Sequence, residues 1–299
     1  MLDSALDSGG ELALDSGWNL KFEASMLKDE EIIRANSING DIRVMFHNVW
    51  GSTVSNRGKM AAKVYLTYLP DVIGFQEYHN FFRYSDWSIL ISNEYEEVPA
   101  ASWDENSVPI YYRTDKLELI ECGWHRYNDR AGDPSKAVTW AVFKHKESGK
   151  QFGVANTHFY WTNDDLGKSA RLIDVAELME IVNDISDQYG APFVVGGDLN
   201  CNISSDPLKI LSQNGYVNAH DSATVYATTS GGYHGYPPTD PETGLYIPAD
   251  PPKGDYSSAI DHVYLYGDAE ASVYDYIIHP FSLAISDHSP VYVDVKLGN

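Results

Sequence analysis

The chain has 299 residues, of which 43% are hydrophobic and 21% charged, and its formal net charge is −22 at pH 7. This length and composition suit one large domain with a substantial apolar core. The negative charge excludes a broad basic surface that would hold a nucleic acid duplex by its phosphates. It does not exclude a phosphate ester as substrate, because a bound cation can reverse the local field. Cys122 and Cys201 are too few for a disulfide framework.

The first 40 residues differ in sequence pattern from the rest of the chain. A short pattern of leucine, aspartate and serine recurs there, at Leu2-Asp3-Ser4, Leu6-Asp7-Ser8 and Leu14-Asp15-Ser16. We predict that residues 1–40 are a partly disordered leader, linker or N-terminal extension, followed by a folded domain over residues 41–299. We expect no signal peptide and no transmembrane segment, because neither a basic-then-apolar start nor a long apolar run is present.

From Asp41 onward, residue patterns predict alternating strands and helices. Strands are predicted over residues 42–46, 72–75, 108–112, 117–120, 137–143, 152–155, 192–195, 260–266 and 291–297. Helices are predicted over residues 58–69, 169–185 and 207–215. The second helix has one apolar face, made of Leu172, Val175, Ala176, Met179 and Val182. Residues 222–256 form a long irregular segment, which is typical of a functional loop. The mixture predicts one α/β or α+β domain.

Short polar clusters lie at the ends of six of these strands. Four strands run into a cluster, at His47-Asn48, Gln76-Glu77, Asn156-Thr157-His158 and Asp198-Leu199-Asn200. Two strands follow a cluster, at Asp261-His262 and Ser286-Asp287-His288. If the second group runs antiparallel to the first, all six meet at one edge of the sheets, where active sites are commonly built. Each cluster alone is more often an ordinary polar turn, but their recurrence at strand ends favours a shared site.

The residue types in the clusters suit transfer of a phosphoryl group to water, which depends mainly on positioning and charge stabilisation. Glu77, Asn48 and Asp287 offer the hard oxygen ligands that Mg²⁺ or Mn²⁺ prefers. Asp198 can orient or deprotonate a water molecule. Asn200 can donate a hydrogen bond to phosphoryl oxygens. These residues are therefore predicted to be metal ligands and catalytic groups.

Two histidines complete the predicted catalytic set. His158 and His288 can stabilise the transition state or protonate the leaving oxygen. Asp261 can fix the tautomer of His288, as carboxylates often do for histidine. Either histidine could instead lie in an ordinary turn with its hydrogen bonds satisfied locally. The presence of the other clusters favours a catalytic role.

Candidate substrate contacts come from the irregular segment and from two arginines. Tyr233 and His234 can stack on a base or sugar, or simply pack the loop. Arg113 and Arg171 are candidate phosphate contacts, or surface ion-pair partners. Other aromatic residues of the segment that can stack in the same way are Tyr226, Tyr236 and Tyr246.

Taken together and in this order, the clusters resemble the endonuclease/exonuclease/phosphatase superfamily, which has the DNase I-like fold. The resemblance covers about residues 41–297 and rests on Phe46-His47-Asn48-Val49-Trp50, Gly74-Phe75-Gln76-Glu77, Asn156-Thr157-His158, Gly197-Asp198-Leu199-Asn200, Ile260-Asp261-His262 and Ser286-Asp287-His288-Ser289-Pro290-Val291. It implies a four-layer α/β/β/α sandwich with two mixed β-sheets packed face to face and helices outside.

The resemblance also implies roles for the residues already singled out. Glu77 would bind the essential metal, helped by Asn48 and Asp287. The two histidines would flank the scissile phosphate. Asp198 would handle the water, with Asn200 on the phosphate. Asp261 would pair with its histidine.

Three positions depart from the superfamily's common pattern. His47 and His262 stand where aromatic residues are common. His158 stands where the abasic-site nucleases have tyrosine. A histidine at that position looks more like DNase I-like nucleases, sphingomyelinases and bacterial phosphodiesterases, which makes a DNA-repair function less favoured.

The sequence thus predicts a divalent-metal-dependent phosphoesterase that hydrolyses a phosphodiester or phosphomonoester bond by in-line attack of water, on a small or extracellular substrate. One alternative is a non-specific DNase I-like endonuclease, which the acidic charge weakens. Another is a catalytically silent binding module, which would not need Glu77 and both histidines. We expect a monomer whose partner is its phosphate-ester substrate, with nucleic acid only as a substrate. Low lysine, high tyrosine and the leader favour an extracytoplasmic or secreted protein.

Overall fold

The computed structural model describes residues 37–51, 57–78, 91–102, 105–226 and 231–298. The predicted leader therefore lies almost entirely outside the described residues. The strands are β1 (Ile42–Asn48), β2 (Val72–Gln76), β3 (Tyr95–Glu97), β4 (Ile110–Arg113), β5 (Leu117–Arg126), β6 (Ala137–His145), β7 (Gln151–His158), β8 (Phe193–Asp198), β9 (Val217–Asn218), β10 (Val225–Tyr226), β11 (Asp261–Tyr266), β12 (Ala269–Tyr276) and β13 (Val291–Leu297). The helices are α1 (Arg57–Tyr68), α2 (Asp165–Tyr189), α3 (Asp206–Gln213), α4 (Ala219–Ser222) and α5 (Ser282–Ile285), with a 3-10 turn over Tyr256–Ser258. None of these helices is both long enough and apolar enough to cross a membrane.

The strands form two mixed sheets, with the order β10-β12-β13-β1-β2-β4-β3 in the first and β5-β6-β7-β8-β11-β9 in the second. Within the first sheet, β1 is parallel to β2 and antiparallel to β13. Within the second sheet, β7 is parallel to β8, and β11 is antiparallel to β8. The strands that follow a polar cluster therefore run opposite to those that precede one. All six clusters lie at one end of the sheets, which we call the site edge, as predicted.

Helices cover the outer face of each sheet. On the first sheet, the ring of Tyr65 in α1 packs 5.3 Å from that of Phe75. On the second sheet, Val175, Leu178 and Val182 of α2 join an apolar cluster with strand residues. A second apolar cluster fills the space between the sheets. The four-layer sandwich of two mixed sheets is therefore confirmed.

A buried polar bridge sets the distance between the two sheets near the site edge. The amide Nδ2 of Asn156 on β7 donates to the carbonyl oxygens of Phe75 (2.8 Å) and Val108 (2.9 Å). Its Oδ1 accepts from Gln76 Nε2. A Cβ at position 74 would lie 2.6 Å from Asn156 Cγ, so only glycine lets the strands approach this closely. Asn156 thus belongs to the scaffold rather than to the site.

Helix α2 buries only part of the predicted face, including Val175 and Val182. Leu172 is 41% exposed and Ala176 is exposed, whereas Leu178, Arg171 and Asp174 are buried. The prediction was wrong at Leu172 and Ala176 because it assigned the buried face by hydrophobicity, and this helix buries two charged side chains instead. Strands β3, β9, β10 and β12 were not predicted either, and β5 extends further than expected.

The two buried charged residues of α2 hold the loop that follows β7. The Arg171 guanidinium donates through Nη1 to the carbonyl oxygens of Tyr160 (2.8 Å) and Thr162 (2.7 Å). Asp174 Oδ2 accepts from the backbone N–H of Tyr160 (3.1 Å). Because this loop leaves β7 directly after His158, the helix fixes the direction in which the chain exits the site edge.

Replacing Gly197 should destabilise the fold at the site edge. Gly197 has a φ of +133°, and a Cβ there would lie 2.0 Å from the backbone oxygen of Thr157. We expect G197A to lower the free energy of unfolding by about 2–4 kcal/mol in urea melts, because strain and a backbone clash add. G149A is the control, since Gly149 has a φ of +74° with open space around it, and should cost about 1 kcal/mol. Equal losses would contradict the close approach at Gly197.

The Asp174 carboxyl should make stability depend on pH. Burial raises the pKa of Asp174 from 3.8 to about 8, and the neighbouring Asp129 carboxyl adds to the rise. The folded chain therefore binds this proton more tightly than the unfolded chain does, and its stabilising effect is lost as the pH rises towards 8. We expect D174N to be more stable than the wild type by about 1–3 kcal/mol at pH 8 and similar to it at pH 4.

Urea unfolding of both proteins across this pH range checks the expectation. D184N is the matched control, because Asp184 is exposed on the same helix. A parallel pH dependence in the wild type and D174N would show that Asp174 is ionised in the folded chain.

Candidate active site

The Asp198 carboxylate lies at the centre of the site edge, at the end of β8. Its Oδ2 accepts from Asn48 Nδ2 (2.9 Å), which comes from the other sheet, and its Oδ1 accepts from the backbone N–H of Asn200 (2.9 Å). Oδ2 also lies 3.4 Å from His158 Nε2 and 3.9 Å from His288 Nε2. Burial raises the pKa of Asp198, and the charge of His288 opposes that rise. The group is thus placed to accept a proton near neutral pH.

His288 forms a buried pair with Asp261. The antiparallel register places Asp261, the first residue of β11, opposite Asp198. Its Oδ2 lies 2.8 Å from His288 Nδ1, which is the contact predicted from the sequence. Burial alone would lower the pKa of His288, but the carboxylates of Asp261 and Asp198 outweigh it and raise that pKa. This arrangement favours an imidazolium whose Nε2 faces the centre of the site.

The three predicted metal ligands lie side by side at the site edge. Glu77 Oε1 accepts from Asn48 Nδ2 (3.2 Å), and Glu77 Oε2 lies 3.4 Å from the backbone N–H of Gly51. Burial raises the pKa of Asp287, and the nearby charge of Glu77 raises it further. Two carboxylates that repel each other in this way are a suitable oxygen donor set for a divalent cation.

Asn48 departs from the predicted ligand geometry. Its Nδ2 faces both carboxylates, while its Oδ1 accepts from the backbone N–H of Trp50 (3.0 Å). For Asn48 to bind a cation through Oδ1, its amide group would have to rotate so that Oδ1 and Nδ2 exchange positions. A second donor set, Asp198, Asp261 and His288, has ligand atoms within 4.8 Å of one another and could also hold a cation.

Backbone strain is concentrated around the same residues. In the described part of the chain, four residues other than glycine have a positive φ, and three of them lie here: Trp50 (48°), Glu77 (55°) and Asn200 (50°). Non-glycine residues in this region are held by surrounding structure and are frequent at functional sites. Asn200 also donates through Nδ2 to the carbonyl oxygen of Phe159 (2.9 Å), so one of its predicted phosphate donors already has a partner.

Sequence reasoning missed two buried cations at the site edge. Lys136 precedes β6, and its Nζ lies 2.8 Å from His158 Nε2. Arg57 begins α1 and donates through Nη2 to the carbonyl oxygen of Trp50 (2.6 Å). Burial lowers the pKa of Arg57 to about 10, whereas Asp287 and Glu77 attract its charge. The one available signal was position: Lys136 lies directly before a strand, and Arg57 is the first residue of a helix.

The irregular segment lies against the site with its aromatic side chains. The Tyr233 ring is 5.1 Å from that of His288 and the residue is 47% exposed, which suits a substrate contact. The His234 backbone N–H donates to the Asp287 carbonyl oxygen (2.8 Å), and burial lowers the pKa of its imidazole to about 4. Tyr236 and Tyr246 pack on Trp50, at 4.8 and 5.6 Å. The side chain of Tyr226 lies outside the described residues.

The two predicted arginine contacts do not join this cluster. Arg113 pairs with Asp115 at 2.7 Å, and its backbone N–H donates to Asp71, which precedes β2. Glu77 follows β2, so Arg113 lies at the opposite end of the sheet, where it forms the surface ion pair that was the alternative to a phosphate contact. Arg171 is buried and uses Nη1 to hold the loop after β7. That loop leaves β7 directly after His158.

The two histidines that depart from the superfamily pattern are packing residues. His47 contacts the Tyr65 hydroxyl (2.7 Å) and the His288 carbonyl oxygen (3.0 Å), and burial lowers its pKa to about 3. His262 contacts the carbonyl oxygens of Cys201 (3.0 Å) and Ala259 (2.9 Å), and burial lowers its pKa to about 4. Both are neutral structural groups.

Several solved structures share this fold. An endonuclease/exonuclease/phosphatase family protein from Bacteroides thetaiotaomicron aligns with a TM-score of 0.67 and 18% identity, over 86% of this chain and 98% of that one. A mannosyl-6-phosphatase from the same organism aligns with a TM-score of 0.66 and 18% identity, over 85% and 99%. The human nocturnin catalytic domain with bound sulfate aligns with a TM-score of 0.65 and 15% identity, over 88% and 97%. No curated protein sequence is significantly similar.

The sequence profile of the Endonuclease/Exonuclease/phosphatase family matches residues 45–288. This span begins within β1, includes β2, β7, β8 and β11 in full, and ends at His288, three residues before β13. Members of the family are hydrolases that act on phosphate esters. The chain belongs to the endonuclease/exonuclease/phosphatase family.

Proposed function

We propose that this chain is a phosphoric ester hydrolase that works with a divalent cation, Mg²⁺ or Mn²⁺, and uses water as the nucleophile. The observation that carries the proposal is the meeting of Asp198, His158 and the Asp261–His288 pair at one sheet edge, beside Glu77. All four members of this group are at least nine-tenths buried. Groups of this kind act by positioning and charge stabilisation in a site of low dielectric.

Asp198 is the group proposed to orient the water and take its proton. Its carboxylate is fixed by Asn48 and by the backbone of Asn200, at 2.9 Å each. Burial raises its pKa, which makes it a stronger base than an exposed aspartate. Because Asn48 comes from the first sheet and Asp198 from the second, the attacking water would be held where the two sheets meet.

His288 is proposed to donate a hydrogen bond, and then a proton, to the oxygen that leaves. Asp261 at 2.8 Å holds the Nδ1 side of the ring, which leaves Nε2 as the donor facing the site. The raised pKa of His288 keeps the ring protonated before the bond breaks. His158, with Nε2 3.4 Å from Asp198, would lie on the other side of the phosphoryl group.

Glu77 and Asp287 are proposed to hold the cation, with Asn48 joining if its amide turns over. A bound divalent cation supplies positive charge to the phosphoryl oxygens as negative charge builds up on them. The alternative set of Asp198, Asp261 and His288 is less suited to it. Its histidine already uses Nδ1 to bond Asp261, and a cation between them would break that 2.8 Å contact.

A small phosphate ester is the substrate class that the charges support best. The net charge is −22, and the two cations that this structure places at the site edge, Lys136 and Arg57, are both buried. Such a site suits one phosphate group better than the extended backbone of a nucleic acid. The structural neighbour described as a mannosyl-6-phosphatase supports the same choice. A non-specific nuclease and a silent binding module are the competing outcomes of the test below.

Removing the proposed cation ligand should abolish both turnover and metal-dependent stabilisation. We expect the wild type to hydrolyse p-nitrophenyl phosphate or bis-p-nitrophenyl phosphate only with Mg²⁺ or Mn²⁺. We expect E77Q to lose about 100-fold or more in kcat/KM, and H288A to lose a similar factor. Mg²⁺ should raise the melting temperature of the wild type and H288A but not of E77Q, because only the last lacks a ligand.

E118Q is the matched control, because Glu118 is exposed on β5 and pairs with the far end of β6, away from the site edge. It should behave as the wild type. Turnover unchanged in E77Q or H288A would contradict the mechanism. Binding without turnover in the wild type would favour the silent module, and rapid cleavage of plasmid DNA alone would favour the nuclease.

A further inference from the structure

Lys136 is a buried cation that the proposed mechanism leaves without a function. It is 4% exposed and lies directly before β6. Its backbone is fixed on both sides, since its N–H donates to the Asp133 carbonyl oxygen (3.2 Å) and its own carbonyl accepts from Tyr127 (3.1 Å). The register of β6 and β7 places Ala137 opposite His158, so the residue before it lies beside that histidine.

The ammonium group of Lys136 has an unusually poor set of partners for a buried charge. Its Nζ lies 2.8 Å from Nε2 and 3.2 Å from Nδ1 of His158. Among the described residues, no carboxylate lies within salt-bridge distance of its Nζ, and the lysine salt bridges there belong to Lys150 and Lys209. An ammonium has three N–H donors, and a neutral imidazole has one nitrogen that can accept. At least two donors thus remain available for another ligand.

Burying such a charge is strongly unfavourable unless an anion compensates for it. Burial lowers the pKa of Lys136, and the carboxylates of Asp198, Asp133 and Glu77 attract the charge from a distance. They act across the site rather than by direct contact. A cation that is kept in this position without a bonded anion is suited to bind one that arrives with the substrate.

The position of His158 shows where that anion would lie. The same Nε2 that Lys136 contacts is 3.4 Å from Asp198 Oδ2, the group proposed to hold the attacking water. A phosphoryl group beside Asp198 would therefore be within reach of Lys136. His288 would face that group from the Asp261 side, since its Nε2 is 3.9 Å from the same oxygen.

We propose that Lys136 binds a non-bridging oxygen of the phosphoryl group and makes the site select phosphomonoesters over phosphodiesters. This inference rests on the proposed function. A monoester carries close to two negative charges at neutral pH, and a diester carries one. The additional charge of the monoester has to be neutralised in a chain whose net charge is −22. One buried ammonium next to the scissile group provides that neutralisation, and a diester gains less from it.

The direct test is to measure the binding of inorganic phosphate and of dimethyl phosphate by calorimetry, with Mg²⁺ present. For K136M, we expect the affinity for inorganic phosphate to fall by about 10- to 100-fold, as for loss of a charge-assisted hydrogen bond. The affinity for dimethyl phosphate should fall by less than about 3-fold. K136R, which keeps the charge, should recover most of the affinity for inorganic phosphate. K144M is the matched control, because Lys144 lies at the opposite end of the same strand.

Steady-state kinetics provide a second readout. The ratio of kcat/KM for p-nitrophenyl phosphate to that for bis-p-nitrophenyl phosphate should fall at least about 10-fold in K136M. Equal losses on both esters would mean that Lys136 only supports His158, and would overturn the inference. The melting temperature of K136M should not fall, because the variant removes a buried charge. A marked fall would also indicate a merely structural role.

The calorimetry separates this inference from the proposed function, since it needs no turnover. Phosphate binding that depends on Lys136 in a protein that hydrolyses neither ester would support the inference and contradict the proposed function. Hydrolysis of both esters, with phosphate affinity unchanged in K136M, would support the proposed function and contradict the inference.

Discussion

The arrangement of the site edge depends on one buried carboxylate, that of Asp198. A carboxylate removed from water is costly unless several donors surround it. Here two donors come from different parts of the chain, Asn48 from the first sheet and the backbone of Asn200 from the next turn. Two histidines, with Nε2 at 3.4 and 3.9 Å, add positive charge when protonated. Satisfying this one group therefore requires both sheets to bring their strand ends together, and it gathers their polar side chains where the sheets meet.

The scaffold around the carboxylate is polar as well as apolar. Asn156 bridges the sheets by bonding the carbonyl oxygens of Phe75 and Val108, and Arg171 and Asp174 anchor the loop after β7. These contacts limit how far the sheets and the loop can move. They keep the histidines and carboxylates at fixed distances from one another, which is what positional catalysis needs.

The sequence predicted which residues lie at strand ends. It did not predict which end of a strand faces the site, which helix face is buried, or which residues meet across the sheets. Polar clusters after apolar runs predicted the residues at the site edge, because strand periodicity is a local property. Arg113 was misplaced, since a strand's sequence does not tell which of its ends faces the site. Leu172 was misplaced because hydrophobicity cannot identify a helix face that buries Arg171 and Asp174. Lys136 was missed because its contact with His158 depends on strand register.

The stereochemical course at phosphorus is the most direct test of the claim that water, held by Asp198, attacks the ester in line. A chiral phosphorothioate ester would be hydrolysed in isotopically labelled water, and the configuration of the thiophosphate product determined. Single in-line displacement by water predicts inversion, with one labelled oxygen from solvent. Retention would show two displacements through a covalent phosphoenzyme, and would contradict the role assigned to Asp198.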